Sequence, residues 1–506
     1  MDIRPPLLAF LLLLPSAPAI AHESDPGAAR AEEHAHAAAD EAAQPHETSA
    51  PALASAATLD ASAPTDLAMA GSPTPPAARP PAVPGPAGET TTPSSWWSAG
   101  FQSTYILQRK AGFSAPYTGP NSLTTAPETG YTLTATAFLG ARPWPGAEIF
   151  FNPETIQSQS ISHLSGLGGP SNGENQKGGG PTPSLYRARA FLRQTIPLGG
   201  ESSTAESGTN QFGGPTASHR LVITAGNFSW GDVFDGNAFA HDPRTQFVNW
   251  ALMSYGAFDY AADVRGYTWG LTLEYYYDDW AFRVGRFAEP IESNGLALDS
   301  HILEHYGDTV EVEHGHVILS QPGKVRVAGF RNYSKQGNFR DALQYAAMNG
   351  GVPDVGNVRR DQAKLGFGVS LEQTVVRDVG VFARYSYADG QTETYSFAEI
   401  ERSLAAGVSV KGGRWRREGD TLGVAWVANG LSDAHRAYLA GGGLGFLIGD
   451  GRLEHYRAEQ ILEAYYSFNA FRGFWVSVDG QHITNPAYNG DRGPVNIVGL
   501  RFHVEY

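Results

Sequence analysis

The sequence predicts an all-β fold, a transmembrane antiparallel β-barrel behind an export leader and an Ala/Pro-rich segment. From Trp97 onward, apolar and polar residues alternate with a period of two in runs of about ten, the pattern of a wall with one face to lipid and one to a lumen. At the chain's end Val498, Leu500, Phe502, Val504 and Tyr506 alternate with Gly499, Arg501, His503 and Glu505. That is the form of a strand that closes a barrel against the first one, with the apolar set facing lipid and the polar set facing water. The one sustained apolar run is at the start and is shorter than the about 20 residues of a spanning helix. A membrane chain without such helices must cross as a closed barrel, because lipid offers the backbone no hydrogen-bond partner.

Composition narrows the classes further. The 506 residues include no cysteine, so neither disulfides nor thiolate chemistry contribute. Apolar residues make up 42% of the chain, yet the mean hydropathy is −0.28, so they are dispersed rather than run together. A net charge of −15 argues against general nucleic-acid binding, which needs a basic surface.

Taken in order, the elements begin with Arg4, the Leu7–Leu14 apolar run and Ala19-Ile20-Ala21, which together read as a signal peptide over residues 1–21. Residues 22–95 are dominated by Ala, Pro, Ser and Thr and read as a disordered periplasmic linker. The barrel is expected over 96–506. Tyr131, Leu133, Ala135 and Ala137 alternate with Thr132, Thr134 and Thr136. Leu271, Leu273, Tyr275 and Tyr277 alternate with Thr272, Glu274 and Tyr276, then turn at Asp278-Asp279 into Trp280, Phe282 and Val284, a hairpin signal. Leu365, Phe367, Val369 and Leu371 alternate with Gly366, Gly368, Ser370 and Glu372, and similar runs follow through Phe474, Val476 and Val478. The polar faces carry charge in mid-strand (Glu274, Arg384, Lys411, Glu463), and aromatics gather near strand ends (Tyr275 to Tyr277, Tyr385, Tyr387, Tyr465, Tyr466, Trp475) like interfacial girdles.

Several segments resemble the carbohydrate-selective porins of the OprB family. They are Trp97 to Ile106, Phe113 to Tyr117 with Gly119 to Ser122, and Phe151-Asn152-Pro153-Glu154. Further on come Ala240 to Phe247, Asp389 to Glu393, and Asn485 to Asn489 with Asp491 to Pro494. The resemblance implies sixteen strands, a bacterial outer-membrane location and facilitated diffusion of mono- or oligosaccharides without a cofactor. Expected partners are these sugars, outer-membrane lipid and the barrel-assembly machinery acting on the last strand. A homo-oligomer is a further possibility; nucleic acid is not expected. The final Tyr506 departs from the Phe more usual in such proteins.

A sugar path needs hydrogen-bonding groups opposed across a narrow lumen. Arg187, Arg189 and Arg193 fall on one face of the Tyr186–Arg193 run, and Asp259, Asp263 and Arg265 on one face of Phe258–Gly266. With Glu274 they are the lumen candidates, since a basic residue toward mid-membrane lipid costs ~2–4 kcal/mol. A ladder of ion pairs that stiffens the wall fits the same residues. Arg244, after Pro243, is expected on a loop that folds inward as a constriction or serves as a plain turn. Two other functions compete, a general or anion-preferring diffusion pore and a barrel-borne hydrolase. The latter rests on Ser202, Ser203 and Asn210 near His219, with no Gly-x-Ser-x-Gly context. His301, His305, His314 and His316 could gather a metal, but scattered histidines are the expectation.

Overall fold

The computed structural model describes residues 95–178 and 180–506. The leader and, apart from Ser95, the Ala/Pro-rich segment lie outside the described residues. The rest forms a closed barrel of sixteen antiparallel strands, each paired with its neighbours in sequence. In chain order they are β1 (Trp97–Lys110), β2 (Glu128–Ala141), β3 (Ala147–Gln159), β4 (Ser184–Ala205), β5 (Gly214–Phe228), β6 (Thr268–Tyr277), β7 (Trp280–Ala288) and β8 (Tyr306–Ile318). The second half comprises β9 (Gln321–Gln336), β10 (Arg360–Val376), β11 (Val379–Ala388), β12 (Arg402–Lys411), β13 (Thr421–Gly430), β14 (Glu459–Phe471), β15 (Phe474–Thr484) and β16 (Val495–Glu505). Closure is by β1 on β16, with Gln102 opposite Glu505 and Lys110 opposite Ile497. Tyr506 completes the seam, exchanging backbone hydrogen bonds with Phe101 at 2.8 and 2.9 Å.

Period-two alternation sorts the side chains as expected. Leu271, Leu273, Tyr275 and Tyr277 are exposed on the outside of β6, while Thr272 and Glu274 are buried within. The same holds for Leu365 and Phe367 against Lys364 and Ser370, and for Val498 against Arg501 and His503. Asp278, in the left-handed region at φ 49°, makes the tight turn between β6 and β7. The girdle expectation needs one correction. Alternation places Tyr276, Tyr465 and Trp475 on the inner face, where Tyr276 donates to Glu274, Tyr465 packs edge-on to Phe247 and Trp475 lies 5.9 Å from His503.

One end of the barrel has short connections, such as 278–279, 319–320 and 472–473, and the other has long ones. Three of the long loops turn into the lumen. The largest, 229–267, carries the single-turn helix α1 (Trp250–Met253) and places Trp230, Phe234, Phe247 and Tyr255 in one apolar cluster with inner-wall residues Phe287, Phe330 and Phe382. Loops 160–183 and 389–401 contribute Leu167 and Phe397 to the same cluster. Glycines on the inner wall make room for this packing. A Cβ at Gly368 would lie 2.5 Å from the Tyr255 ring, and one at Gly380 would lie 2.1 Å from Phe239. Over the loop end, helices α2 (Phe339–Asn349) and α3 (Asp433–Ala440) pack together around Phe339 and Tyr438.

Candidate functional site

A loop inside a barrel buries backbone groups that still need partners, and the wall supplies them with carboxyl and guanidinium side chains. Glu311 accepts from the Asp235 amide at 2.9 Å, Glu372 from Ala238 at 2.8 Å, and Glu463 from Val248 and Asn249 at 2.5 and 3.0 Å. Arg384 donates to the Leu252 carbonyl at 2.9 Å and pairs with Asp235 at 3.1 Å. Arg501 reaches the carbonyls of Pro243 and Gln246 at 2.8 and 2.6 Å. These contacts span β8, β10, β11, β14 and β16, so the 229–267 loop crosses the lumen.

Beside it lies a small cavity of about 70 Å³, partly open to solvent. Trp250, Tyr260 and Phe397 line it, with ring centroids 4.8 Å apart for Trp250–Phe397 and 4.9 Å for Tyr260–Phe397. Lys177, Arg189 and Arg265 line it as well, and Lys177 and Arg189 lie 5.5 and 5.2 Å from the Tyr267 ring centroid. Arg189 grips Asp232 through two hydrogen bonds of 2.6 and 2.7 Å. Burial raises the carboxyl pKa of Asp232, but the Arg189 charge outweighs this and holds it below the ordinary range. Lys177 pairs with Glu174 at 2.9 Å; burial opposes its charge, yet Glu174 and its neighbours raise its pKa. The Arg265 guanidinium lies 4.3 Å from the Tyr186 ring centroid and has no hydrogen bond or ion pair among the described residues.

The eight residues picked from the sequence divide sharply. Arg189 and Arg265 line the cavity. Arg193 faces the lumen nearer the short-turn end and donates to Glu148 and to the Asn210 carbonyl. Glu274 belongs to a wall ladder, accepting from Arg283, which also bonds Glu311 and Glu313. Arg326 extends that ladder from Glu313 to Glu372. Arg244 does sit on the inward loop, but buried, where it pins the loop to Glu154 at 2.8 Å and Glu174 at 2.9 Å.

Three placements correct the expectation. Arg187 does not share the face of Arg189 and Arg193. The β3–β4 register slips between Asn152 and Pro153, so Asn152 opposes Arg189 while Pro153 opposes Arg187. This β-bulge leaves Ala188 unpaired and turns Arg187 outward, 4.9 Å from the ring of the exposed Trp269. Asp259 and Asp263 lie in coil rather than on a strand face. Asp259 pairs with Lys364 at 3.2 Å and accepts from the Tyr395 and Ser396 amides, so it clamps loop to loop. Asp263 accepts from the amides of Arg265 and Tyr267, and burial raises its pKa.

Lys177, Trp250, Tyr260 and Phe397 escaped the sequence reading. Their signal was aromatic density in a stretch without strand alternation: Trp230, Phe234, Phe239, Phe247, Trp250, Tyr255, Phe258 and Tyr260. The four histidines are not brought together. His301 and His305 both bond Asp299 in a loop, whereas His314 stacks on Trp280 and His316 bonds Gln373 toward the short-turn end. His219 bonds Asp278 at 2.9 Å and stacks on Tyr277.

Residues 121–506 match the carbohydrate-selective porin, OprB family. Among solved structures, the high-pH form of OprB from Pseudomonas putida aligns with a TM-score of 0.62 at 16% identity, covering 81% of this chain and 94% of that one. Its low-pH form gives 0.44 at 12% identity, covering 81% and 92%. The outer membrane channel DcaP of Acinetobacter baumannii gives 0.45 at 10%, covering 81% and 97%. No curated protein matches significantly.

Proposed function

Because this chain belongs to the carbohydrate-selective porin, OprB family, we propose that mono- or oligosaccharides pass its lumen by facilitated diffusion and bind weakly in the cavity between Trp250, Tyr260, Phe397 and Arg265. The protein is an outer-membrane carbohydrate porin, and a channel rather than an enzyme. The observation that carries the finer reading is that aromatic rings and guanidinium donors line the same cavity. A sugar ring has an apolar C–H face that stacks on aromatics and a hydroxyl rim that accepts from arginine. Passage also requires weak binding; a millimolar site corresponds to only about −4 kcal/mol.

An anion-preferring pore is favoured by the same three cations. Two of them are held in ion pairs with carboxylates, Lys177 with Glu174 and Arg189 with Asp232, whereas the Arg265 guanidinium makes no such contact among the described residues. The expected outcome is sugar block of the ion current in planar bilayers with a small reversal potential. Arg265→Ala is expected to weaken block by about tenfold, the worth of one charge-assisted hydrogen bond of roughly 1.5 kcal/mol. Unchanged block would sink this cavity as the binding station, and equal permeation by sugars and amino acids of similar size would sink sugar selectivity.

The remaining assignments belong to the same proposal. Short turns face the periplasm and long loops the exterior of a Gram-negative cell. Residues 1–21 direct export, residues 22–95 form a periplasmic linker, and β16 is the strand read by the assembly machinery. Protease protection of the long loops in sealed vesicles, against accessibility on whole cells, checks the orientation.

A further inference from the structure

One hairpin departs from the short-turn pattern. Strand β4 has 22 residues and β5 has 15, yet the wall ends sooner. The last β3 partner of β4 is Gln194, and the β6 pairing of β5 starts at Arg220. Beyond that rim the two strands pair only with each other, down to Ala205 opposite Gly214. Eleven residues of straight strand would project roughly 35 Å into solvent.

The arm bends back instead. Its register slips between Pro197 and Gly199 and again between Gly199 and Ser202, and bulges of this kind bend a ribbon. Gly199 and Gly200 hold φ of 121° and 81°, which a side chain would resist. The root is fixed to the β6–β7 turn, where Ser218 and His219 both bond Asp278. The tip then reaches inner-wall residues and the β2–β3 turn. Asn152 donates to the Asn210 side chain at 3.0 Å, Arg193 to the Asn210 carbonyl at 2.8 Å, and Arg142 to the Gly213 carbonyl at 3.1 Å. Phe212 is buried with its ring centroid 5.6 Å from that of Phe150 and 4.5 Å from the Arg142 guanidinium. Asn152 is the register partner of Arg189, so Asn210 sits one residue pair away from the cavity.

We propose that this hairpin, through Asn210 and Phe212, is an exit filter in series with the cavity and sets the largest solute that leaves the channel. The inference rests on the lumen being the solute path. Two variants test it in the full-length protein: replacement of 199–214 by Asn-Gly, and the double substitution Asn210→Ala/Phe212→Ala, which keeps the arm but loosens its tip. Removing a constriction in series is expected to raise single-channel conductance in potassium chloride about twofold. Liposome swelling is expected to extend to sugars at least one ring larger. If the shortened protein does not insert, the double variant decides. Wild-type conductance and size limit in every variant that inserts would overturn the filter. Conductance reads the arm without sugar and sugar block reads the cavity, so failure of one is distinguishable from failure of the other.

Discussion

Removing the Arg244 side chain tests whether the crossing loop is held by buried charge. Arg244 is 7% exposed, and its acceptors Glu154 and Glu174 are 0% and 2% exposed. Deleting one partner of a buried pair costs roughly 3–5 kcal/mol, because the other charge stays buried without compensation. Glu154 keeps the Thr136 and Tyr186 hydroxyls, and Glu174 keeps Lys177. The low end, about 3 kcal/mol, therefore applies, a shift of roughly two orders of magnitude in the ratio of docked to undocked loop edge. The loop is not expelled, since Arg501 and Glu463 still hold its next residues. The expected result for Arg244→Ala is a noisier open state with added substates and faster amide exchange over Thr245 to Phe247. Arg244→Lys retains the charge but not the two-acceptor fork and recovers part of the effect. Arg244→Met with Glu154→Gln removes the uncompensated charge and recovers most of it. Wild-type noise and exchange in Arg244→Ala would refute buried charge as the anchor.

Three further outcomes follow from particular contacts. Arg187→Ala, on the outer face beside Trp269, is expected to leave sugar block and ion conductance unchanged, and a weakened block would restore it to the lumen. Gly368→Val drives a side chain into the Tyr255 ring, an overpacking cost of about 1–3 kcal/mol; it is expected to lower the temperature at which the barrel loses its fast gel mobility, and an unchanged temperature would refute the close approach. At the loop end His435 bonds Glu401 at 2.8 Å and joins α3 to the 389–401 loop. Burial lowers the His435 pKa, but Glu401 and Glu399 outweigh it and raise the value, so this contribution is complete below about 6.5 and is lost as pH rises through the raised pKa. Burial opposes the charge of Glu401, but His435 depresses its pKa, so that contribution is present above about 4.3 and is lost as pH falls through the depressed value. Amide protection of 389–401, corrected for intrinsic rate, is expected to peak in weak acid, with the alkaline limb absent in His435→Gln. Identical profiles would exclude the latch.

The wall was legible because one rule governs it. A residue facing lipid must be apolar and its neighbour need not be, so Leu271 to Tyr277 and Val498 to Val504 announce their faces without knowledge of any partner. Arg187 escaped the same rule through a single residue. Pro153 has no N–H to give the ladder, and a proline inside a strand belongs at a bulge or an edge. The bulge opposite it reverses the parity of everything on β4 before Ala188. That proline stood in the sequence, but which strand residue it would oppose depends on a register the sequence does not print.

The cavity was less legible because wall charges are ambiguous by nature. Glu311, Glu372, Glu463, Arg384 and Arg501 have the mid-strand placement of solute-binding groups, yet each is engaged by the backbone of the 229–267 loop. A loop that leaves water for a barrel interior brings amides and carbonyls that must be matched, and charged acceptors and donors match them most strongly. Position on the inner face therefore says only that a charge is tolerated there; what distinguishes a solute contact is a donor that the protein leaves unmatched. Arg265 meets that criterion: its charge rests against the Tyr186 ring and its donors meet no acceptor among the described residues. Arg189 does not, since Asp232 holds it in a bidentate pair. Arg189→Lys is accordingly expected to disturb the Asp232 contact and the loop it anchors as much as sugar block, whereas Arg265→Lys is expected to change block alone.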